Sequence, residues 1–252
     1  MLNASIVLYH TPQDELDRIV GLLRQSKVVN RIITIDNSVD NRGYGKAHNI
    51  ALKATIEEGI PYHLVVNTDI SFDPDILEQL LAVMEAHTEV GLLMPKVQYP
   101  DGKTQYLCKR LPTPLDMFAR RFLPHRLAEK RNYEYELRWT GYDKPMNVAY
   151  LSGCFMLLRT EAIKEVGLFD ERFFMYPEDI DLTRRIHRKY LTLFYPFCTI
   201  THNHARASYH SWQMTKVHIQ NMCRYFQKYG WLFDDERRKV NRENPILSNF
   251  SF

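Results

Sequence analysis

Glu178, Asp179 and Asp181 place three carboxylates within four residues, directly after an aromatic loop carrying Phe169, Phe173, Phe174 and Tyr176. A carboxylate walled in by aromatic rings and partly desolvated can act as a general base. The same acidic residues also suit the first turn of a helix entered through Pro177, where they complement the macrodipole and the free N–H groups. The dipole works against base chemistry, because it lowers a carboxylate's pKa, so both readings stay open on this stretch alone. Asp36 and Asp69 each follow a short apolar run, and His202 and His204 close another. Each Asp also suits a turn or a cap. The two histidines, spaced i, i+2, share a face of an extended chain, and a His at a strand end is either a metal ligand or structural. In the stretch 41–49, NRGYGKAHN, Gly43 and Gly45 lie one residue apart, a spacing that lets the backbone approach a ligand closely.

The elements that must position these groups follow from periodicity. Ala4–Tyr9 is a short apolar run read as a buried strand, and Thr11-Pro12 with Asp14 marks a helix start. Leu16, Ile19, Val20 and Leu23 keep a helical period, and Arg31–Ile35 is a second strand. Strand, helix, strand implies a parallel sheet. A helix over Ile50–Glu57, a strand over His63–Asn67, a helix over Ile76–Ala86 and a strand over Gly91–Met94 continue it. In such sheets ligands bind at the carboxyl ends of the strands, where Asp36 and Asp69 fall. Pro100-Asp101-Gly102 is a turn, and Tyr133–Asp143 reads as loop. Val148–Leu158 is a buried strand broken at Ser152-Gly153, followed by a short helix from Thr160 to Gly167. Leu193–His204 is a strand and Ser211–Tyr229 a helix.

The chain has 252 residues, 45% hydrophobic and 25% charged, enough for one large domain or a domain with a helical appendage. A net charge of +3 and no Lys/Arg run with base-reading aromatics exclude a nucleic-acid partner. The four cysteines form no Cys-x-x-Cys, which excludes zinc-ribbon and thioredoxin chemistry, and Cys154 and Cys198 read as reduced core residues of a cytoplasmic protein. No leader peptide and no membrane span, which takes about 18 apolar residues, is expected. Lys109, Arg110, Arg120, Arg121, Arg126, Lys130 and Arg131, interleaved with Phe118, Phe122 and Leu123, face only Asp116 and Glu129, and Arg237-Arg238-Lys239 forms a second basic patch. Either patch suits an anionic membrane surface or acceptor, or a solvated face.

The order and spacing of seven segments resemble the family 2 glycosyltransferases, closest to their bacterial rhamnosyltransferase-like branch. The segments are residues 35–38, 41–49, 67–70, 151–154, 167–170, 178–182 and 202–208, and the resemblance runs from Ala4 to about Trp231. It implies an α/β architecture, the GT-A fold: a Rossmann-like, mostly parallel central sheet flanked by helices. Residues 1–210 would form that domain, with a nucleotide-binding half over 1–95 and an acceptor and catalytic half over 96–210, and residues 211–252 a C-terminal helical extension. It implies donor and nucleotide contacts at Tyr9, Asp36, Asn41, Gly43, Gly45, Asn49, Asn67, Asp69 and Gly153. Asp69 stands where the last Asp of the family's metal-binding Asp-x-Asp lies, with Asn67 in place of the first. Mg²⁺ or Mn²⁺ would be held by Asp69 and by one of His202 and His204. Asp179 resembles the catalytic base, Glu178 its neighbour, and Asp181 and Tyr176 lie towards the acceptor. The implied activity is inverting transfer from a nucleotide-sugar donor (dTDP-rhamnose or a UDP-sugar) to a saccharide or lipid-linked saccharide acceptor, with peripheral contact at the inner membrane face.

Two rivals are tested by the same residues. A nicotinamide enzyme needs Gly-x-Gly-x-x-Gly after the first strand, but Gly43-Tyr44-Gly45 follows the second and His48 holds the third glycine's place. A non-catalytic sugar-nucleotide or polysaccharide-binding module of the same fold is favoured by the missing first Asp and opposed by Glu178-Asp179.

Overall fold

A computed structural model of the chain describes residues 1–117, 124–203, 212–248 and 250. The amino-terminal half alternates β1 (Leu2–Leu8), α1 (Gln13–Gln25), β2 (Val29–Asp36), α2 (Tyr44–Glu57), β3 (Tyr62–Val66), β4 (Ile70–Ser71), α3 (Ile76–Ala86) and β5 (Val90–Gln98). There follow β6 (Cys108–Lys109), α4 (His125–Tyr135), a 3₁₀ turn (Arg138–Thr140), β7 (Met146–Asn147), β8 (Tyr150–Leu151) and β9 (Phe155–Arg159). The chain continues with α5 (Thr160–Val166), α6 (Glu178–His187), β10 (Leu191–His202), α7 (Trp212–Tyr229) and α8 (Asp235–Val240).

The main sheet has the order β2-β1-β3-β9-β5-β10-β4, with β7 beside β10. β1 pairs in parallel with β2 and β3, β5 pairs in parallel with β10, and β9 runs antiparallel between β3 and β5. The five long strands β1, β2, β3, β5 and β10 therefore point the same way, so their carboxyl ends share one edge of the sheet. β3 is buried along its length, as its unbroken apolar run demands. Ile19 and Leu23 are the fully buried positions of α1, on the face set by its helical period. β10 changes register between Tyr195 and Thr199, around Pro196, which has no N–H for the ladder.

Several elements differ from the sequence expectation. The break expected at Ser152-Gly153 does separate β8 from β9, but there Ser152-Gly153-Cys154 also crosses between two sheets. α2 begins at Tyr44, six residues earlier than the apolar pattern suggests, so Gly45 and Asn49 are helical and Gly43 precedes the first turn. The helical pattern is masked there because the polar His48 and Asn49 are buried, bonded to Ser5 and Phe169. α4 and the 3₁₀ turn occupy much of a stretch read as loop, since HRLAEKRNYEY carries few apolar positions to betray a helical period. The strongly charged α6 is buried from Glu178 to Arg184, where ion pairs replace apolar contacts. After α8 the chain returns to the sheet: the Asn147 N–H bonds the Pro245 carbonyl and Met146 bridges Ile246.

Candidate active site

Asp179 lies in the first turn of α6 and is almost buried. Its Oδ2 accepts from the Gly153 N–H at 3.0 Å and its Oδ1 from the Ile180 N–H at 2.8 Å. Burial nevertheless lifts its pKa to about 6, against those backbone hydrogen bonds and the Lys109 charge. Desolvation thus outweighs the lowering that a helix start alone would bring. Burial, and then the charge of Asp179, pushes Glu178 well above the carboxylate range, and its Oε2 has no hydrogen-bond partner among the described residues. Burial and mutual repulsion both disfavour two charges here, so the two carboxyls titrate as a pair. Gly153 is pressed against this pair, and a Cβ there would lie 3.3 Å from the Asp179 Cβ. The Tyr44 hydroxyl lies 2.7 Å from the Gly153 carbonyl and 3.1 Å from the Asn67 Oδ1. It ties the end of β3 to the turn under Asp179. Burial keeps Tyr44 a neutral phenol, and the charges of Glu178, Asp179 and Asp69 all act on it.

Asp69 sits beyond β3 in a short loop fixed from two sides. The Arg18 guanidinium, from α1, donates to the carbonyls of Thr68 and Ile70 at 2.6 and 2.7 Å, and the Asn203 N–H bonds the Asp69 carbonyl. The Asp69 Oδ2 lies 3.2 Å from the His202 Nε2, while its buried Oδ1 has no hydrogen-bond partner among the described residues. Gln105 orients the histidine ring. The Gln105 Nε2 donates to the His202 carbonyl at 2.8 Å, which turns its Oε1 to the His202 Nδ1 at 2.9 Å. The His202 Nε2 is thereby aimed at the Asp69 carboxylate. An imidazole nitrogen and a carboxylate with one orphaned oxygen are donors that suit a divalent cation. Among the described residues no three His, Cys, Asp or Glu side chains cluster as metal ligands, so phosphate oxygens or water would complete such a site.

The segment 41–49 is organised chiefly by the protein itself. The Asn41 Oδ1 accepts from the Asn37 side chain and the Gly43 N–H. At Gly43, φ is +90°, and a Cβ would fall 2.4 Å from the Phe174 carbonyl oxygen. A Cβ on Gly45 would meet the Phe169 Cβ at 2.8 Å. Both glycines thus allow close approach of the aromatic loop, where the sequence suggested approach of a ligand. Asn49 clamps that loop from both ends of its amide, to the Phe169 carbonyl and N–H. Asp36 ends β2 in the open, its carboxylate accepting from the Ser38 N–H, which lowers its pKa. Tyr9, exposed at the end of the neighbouring β1, flanks it across the Leu8–Asp36 pair.

Asp181 has no exposed surface and bonds Arg185, Lys228 and the Tyr229 hydroxyl, so it fastens α6 to α7, which suits orienting the helix start better than contact with an acceptor. Tyr176 is half-buried, stacks edge-on with His218, and holds φ at +91°, a costly backbone for a bulky residue, just ahead of Pro177 and Glu178. His204 lies outside the described residues, as do Phe118, Arg120, Arg121, Phe122 and Leu123. Arg131 pairs with Asp116, and Arg237 is buried, so neither belongs to an open basic surface.

No protein-family model matches the chain. Over 181 residues it is 30% identical to N-acetylglucosaminyl-diphospho-decaprenol L-rhamnosyltransferase of Mycobacterium tuberculosis, in strains CDC 1551 / Oshkosh and ATCC 25618 / H37Rv, over 67% of this chain and 58% of the relative. Among solved structures, it resembles GalNAc-T7 with UDP, GalNAc and Mn²⁺ (TM-score 0.56, 15% identity, 80% of this chain and 43% of that one). It also resembles S. aureus TarS 1-349 in complex with UDP-GlcNAc (TM-score 0.54, 13% identity, 95% and 70%). The chain belongs to the family 2 glycosyltransferases with the GT-A fold. It spans 58% of the length of the curated relatives it matches.

Within this glycosyltransferase fold, Tyr44, Gln105 and Arg18 also brace the site. Tyr44 stands inside a motif already marked by its glycines, so its position was a signal. Gln105 and Arg18 lie far from their partners in sequence, and nothing local distinguishes them from solvated side chains.

Proposed function

We propose that the chain is an inverting glycosyltransferase that moves a sugar from a nucleoside-diphosphate donor, dTDP-rhamnose or a UDP-sugar, to a saccharide or lipid-linked saccharide acceptor. The observation that carries this reading is Asp179, a carboxylate with a pKa near 6 held by two backbone N–H groups, on the same edge of the sheet as the Asp69–His202 pair. A base of that pKa is ionised at neutral pH and still basic enough to accept a hydroxyl proton in the transition state. The name of the curated relative, a rhamnosyltransferase of a lipid-linked N-acetylglucosamine, supports the choice of donor and acceptor class.

Asp179 takes the proton of the acceptor hydroxyl as that oxygen attacks the sugar's anomeric carbon. The bond to the donor diphosphate breaks on the opposite face, with inversion. Glu178, buried beside it, disfavours a second negative charge on the pair. Asp36 and Tyr9, on adjacent strand ends, border the slot for the nucleotide base. Asp69 and His202 would hold Mg²⁺ or Mn²⁺, which supplies positive charge for the departing diphosphate. Gln105 holds the His202 ring with its Nε2 towards Asp69 for that ligand role. Tyr44 and Gly153 hold the floor between the two carboxylates.

Asp179→Asn tests the reading. Transfer is expected to fall by roughly a hundredfold or more, while donor binding persists. Binding is followed as the thermal shift with UDP or dTDP and Mn²⁺, since ligand at a hundred times its Kd adds about 2.7 kcal/mol. Unchanged transfer would remove Asp179 as the base. A shift with NAD in place of the pyrimidine nucleotides would remove the glycosyltransferase reading.

A further inference from the structure

Between α7 and α8 the chain turns through Gly230-Trp231-Leu232-Phe233-Asp234, and three apolar side chains in succession point into solvent. Leu232 is 72% and Phe233 79% exposed, and Trp231 is 44% exposed with its inner face on Phe226. Burying such side chains is worth about 1.5–3 kcal/mol each, so a tip that shows three of them carries a standing cost unless something covers it.

The tip is also braced. The buried Arg237 guanidinium donates to the carbonyls of Gly230 and Trp231 at 3.3 and 3.1 Å, and Arg238 to that of Leu232 at 3.3 Å. Gly230 holds φ at +106°, and a Cβ there would lie 2.1 Å from the Phe233 carbonyl oxygen. Asp234 caps α8 by accepting from the Arg237 N–H and pairs with the buried Arg184 of α6. A loop tied at successive carbonyls is ordered before anything binds, so little entropy is lost on docking. Its root is fixed to the helix that opens with Glu178 and Asp179.

Composition selects the occupant. Trp, Leu and Phe at a tip, with the exposed cations Arg238, Lys239 and Arg242 beside them, match the interface of a bilayer with anionic headgroups, and the Arg238 guanidinium lies 5.5 Å over the Phe233 ring. A stable protein partner would cover about 800 Å² on each side, far more than three side chains offer. Among the described residues no helix is long and apolar enough to cross a membrane, so attachment by them takes a peripheral form. We infer that the Trp231-Leu232-Phe233 tip docks this chain on an anionic membrane surface, with Arg238, Lys239 and Arg242 in the headgroup layer. The inference deepens the proposed transfer to a lipid-linked acceptor: the tip would set the height of the Asp179 helix above the bilayer that carries the acceptor.

The test is co-sedimentation of the full chain with phosphatidylglycerol vesicles at low and moderate salt, comparing it with Leu232→Ser/Phe233→Ser. Both side chains are exposed and lie outside the proposed catalytic and binding groups, so melting temperature and nucleotide-induced shift should stay unchanged. The expected result is vesicle binding by the parent chain and a loss of at least about tenfold in the variant. Equal binding by both, or no binding by the parent chain at low salt, overturns the docking surface. So does lipid-free self-association of the parent chain that the double variant abolishes, which would assign the tip to a second copy. A nucleotide-induced shift that survives a failed vesicle assay leaves the glycosyltransferase reading standing; its loss with intact vesicle binding removes that reading alone.

Discussion

At the scale of single residues, burial decides what each titratable group can do. Asp179 sits at a helix start, where the backbone favours its charge, yet desolvation raises it to about 6. Transfer should therefore rise with pH through about 6 and level off above, because only the ionised carboxylate accepts the acceptor's proton. A kcat/KM profile between pH 5 and 8 checks this; a flat profile would leave the base elsewhere. His202 shows a different control. Its ring orientation depends on Gln105, which bonds both its Nδ1 and its carbonyl. Gln105→Leu is expected to weaken Mn²⁺ affinity about 10–100-fold, as removing an outer-shell partner does. Titration of Mn²⁺ by electron paramagnetic resonance in the presence of UDP reads this without any turnover.

At the scale of elements, the aromatic loop 169–176 and the first turn of α2 are one assembly. Asn49 grips Phe169 through both halves of its amide, the Tyr44 N–H bonds the Phe174 carbonyl, and Gly43 and Gly45 leave room for the loop to close. This assembly delivers the chain to Pro177 and so to Glu178-Asp179. Gly43→Ala adds a Cβ where φ is +90° and the Phe174 carbonyl lies 2.4 Å away. A loss of at least ~2 kcal/mol is expected from the left-handed backbone and the clash together, measured as a shift in urea midpoint. A further drop in transfer beyond the lost stability would show that the loop positions α6. The segment reads as a ligand loop in the sequence because the same glycines serve a backbone approach whichever partner approaches. Asp181 is indistinct in the sequence for a related reason: three acidic residues in one turn look alike, and only the packing of α7 shows that this one is enclosed by Lys228, Tyr229 and Arg185.

At the scale of the whole molecule, the sheet carries a buried polar file through its amino-terminal half. The Ser5 Oγ bonds the His48 Nδ1 and the His63 Nε2, and the His63 Nδ1 bonds the Thr55 Oγ1. Burial lowers both histidines to about 3, against 6.5 when unfolded. As pH falls below 6.5 the unfolded chain takes up two protons that the native chain refuses, so these residues destabilise the fold by roughly 1.4 kcal/mol per pH unit each. Glu178 and Asp179 act in the opposite sense, because their raised pKa values let the native chain hold protons that the unfolded one has lost. The two effects oppose each other in the parent protein. In Glu178→Gln/Asp179→Asn the opposing effect is removed, and with His187 also lowered by burial the urea midpoint should fall steadily from pH 6.5 towards 5. A midpoint independent of pH in that variant would mean the histidines are not held neutral.

The sequence by itself determined the alternation of strands and helices, the parallel run of the first strands, and the placing of Asp36 and Asp69 at strand ends. Those features rest on local periodicity and on turn residues, which a chain displays without its partners. The order of motifs also sufficed to recognise the family. Tertiary structure alone decided that the Asp179 carboxyl is buried with a raised pKa, that Gln105 bonds His202, that Arg237 is buried beneath the Trp231-Leu232-Phe233 tip, and that Asp181 is enclosed. Each of these depends on burial or on contacts between residues distant in sequence, and desolvation is a property of the assembled surroundings that no stretch of chain carries on its own.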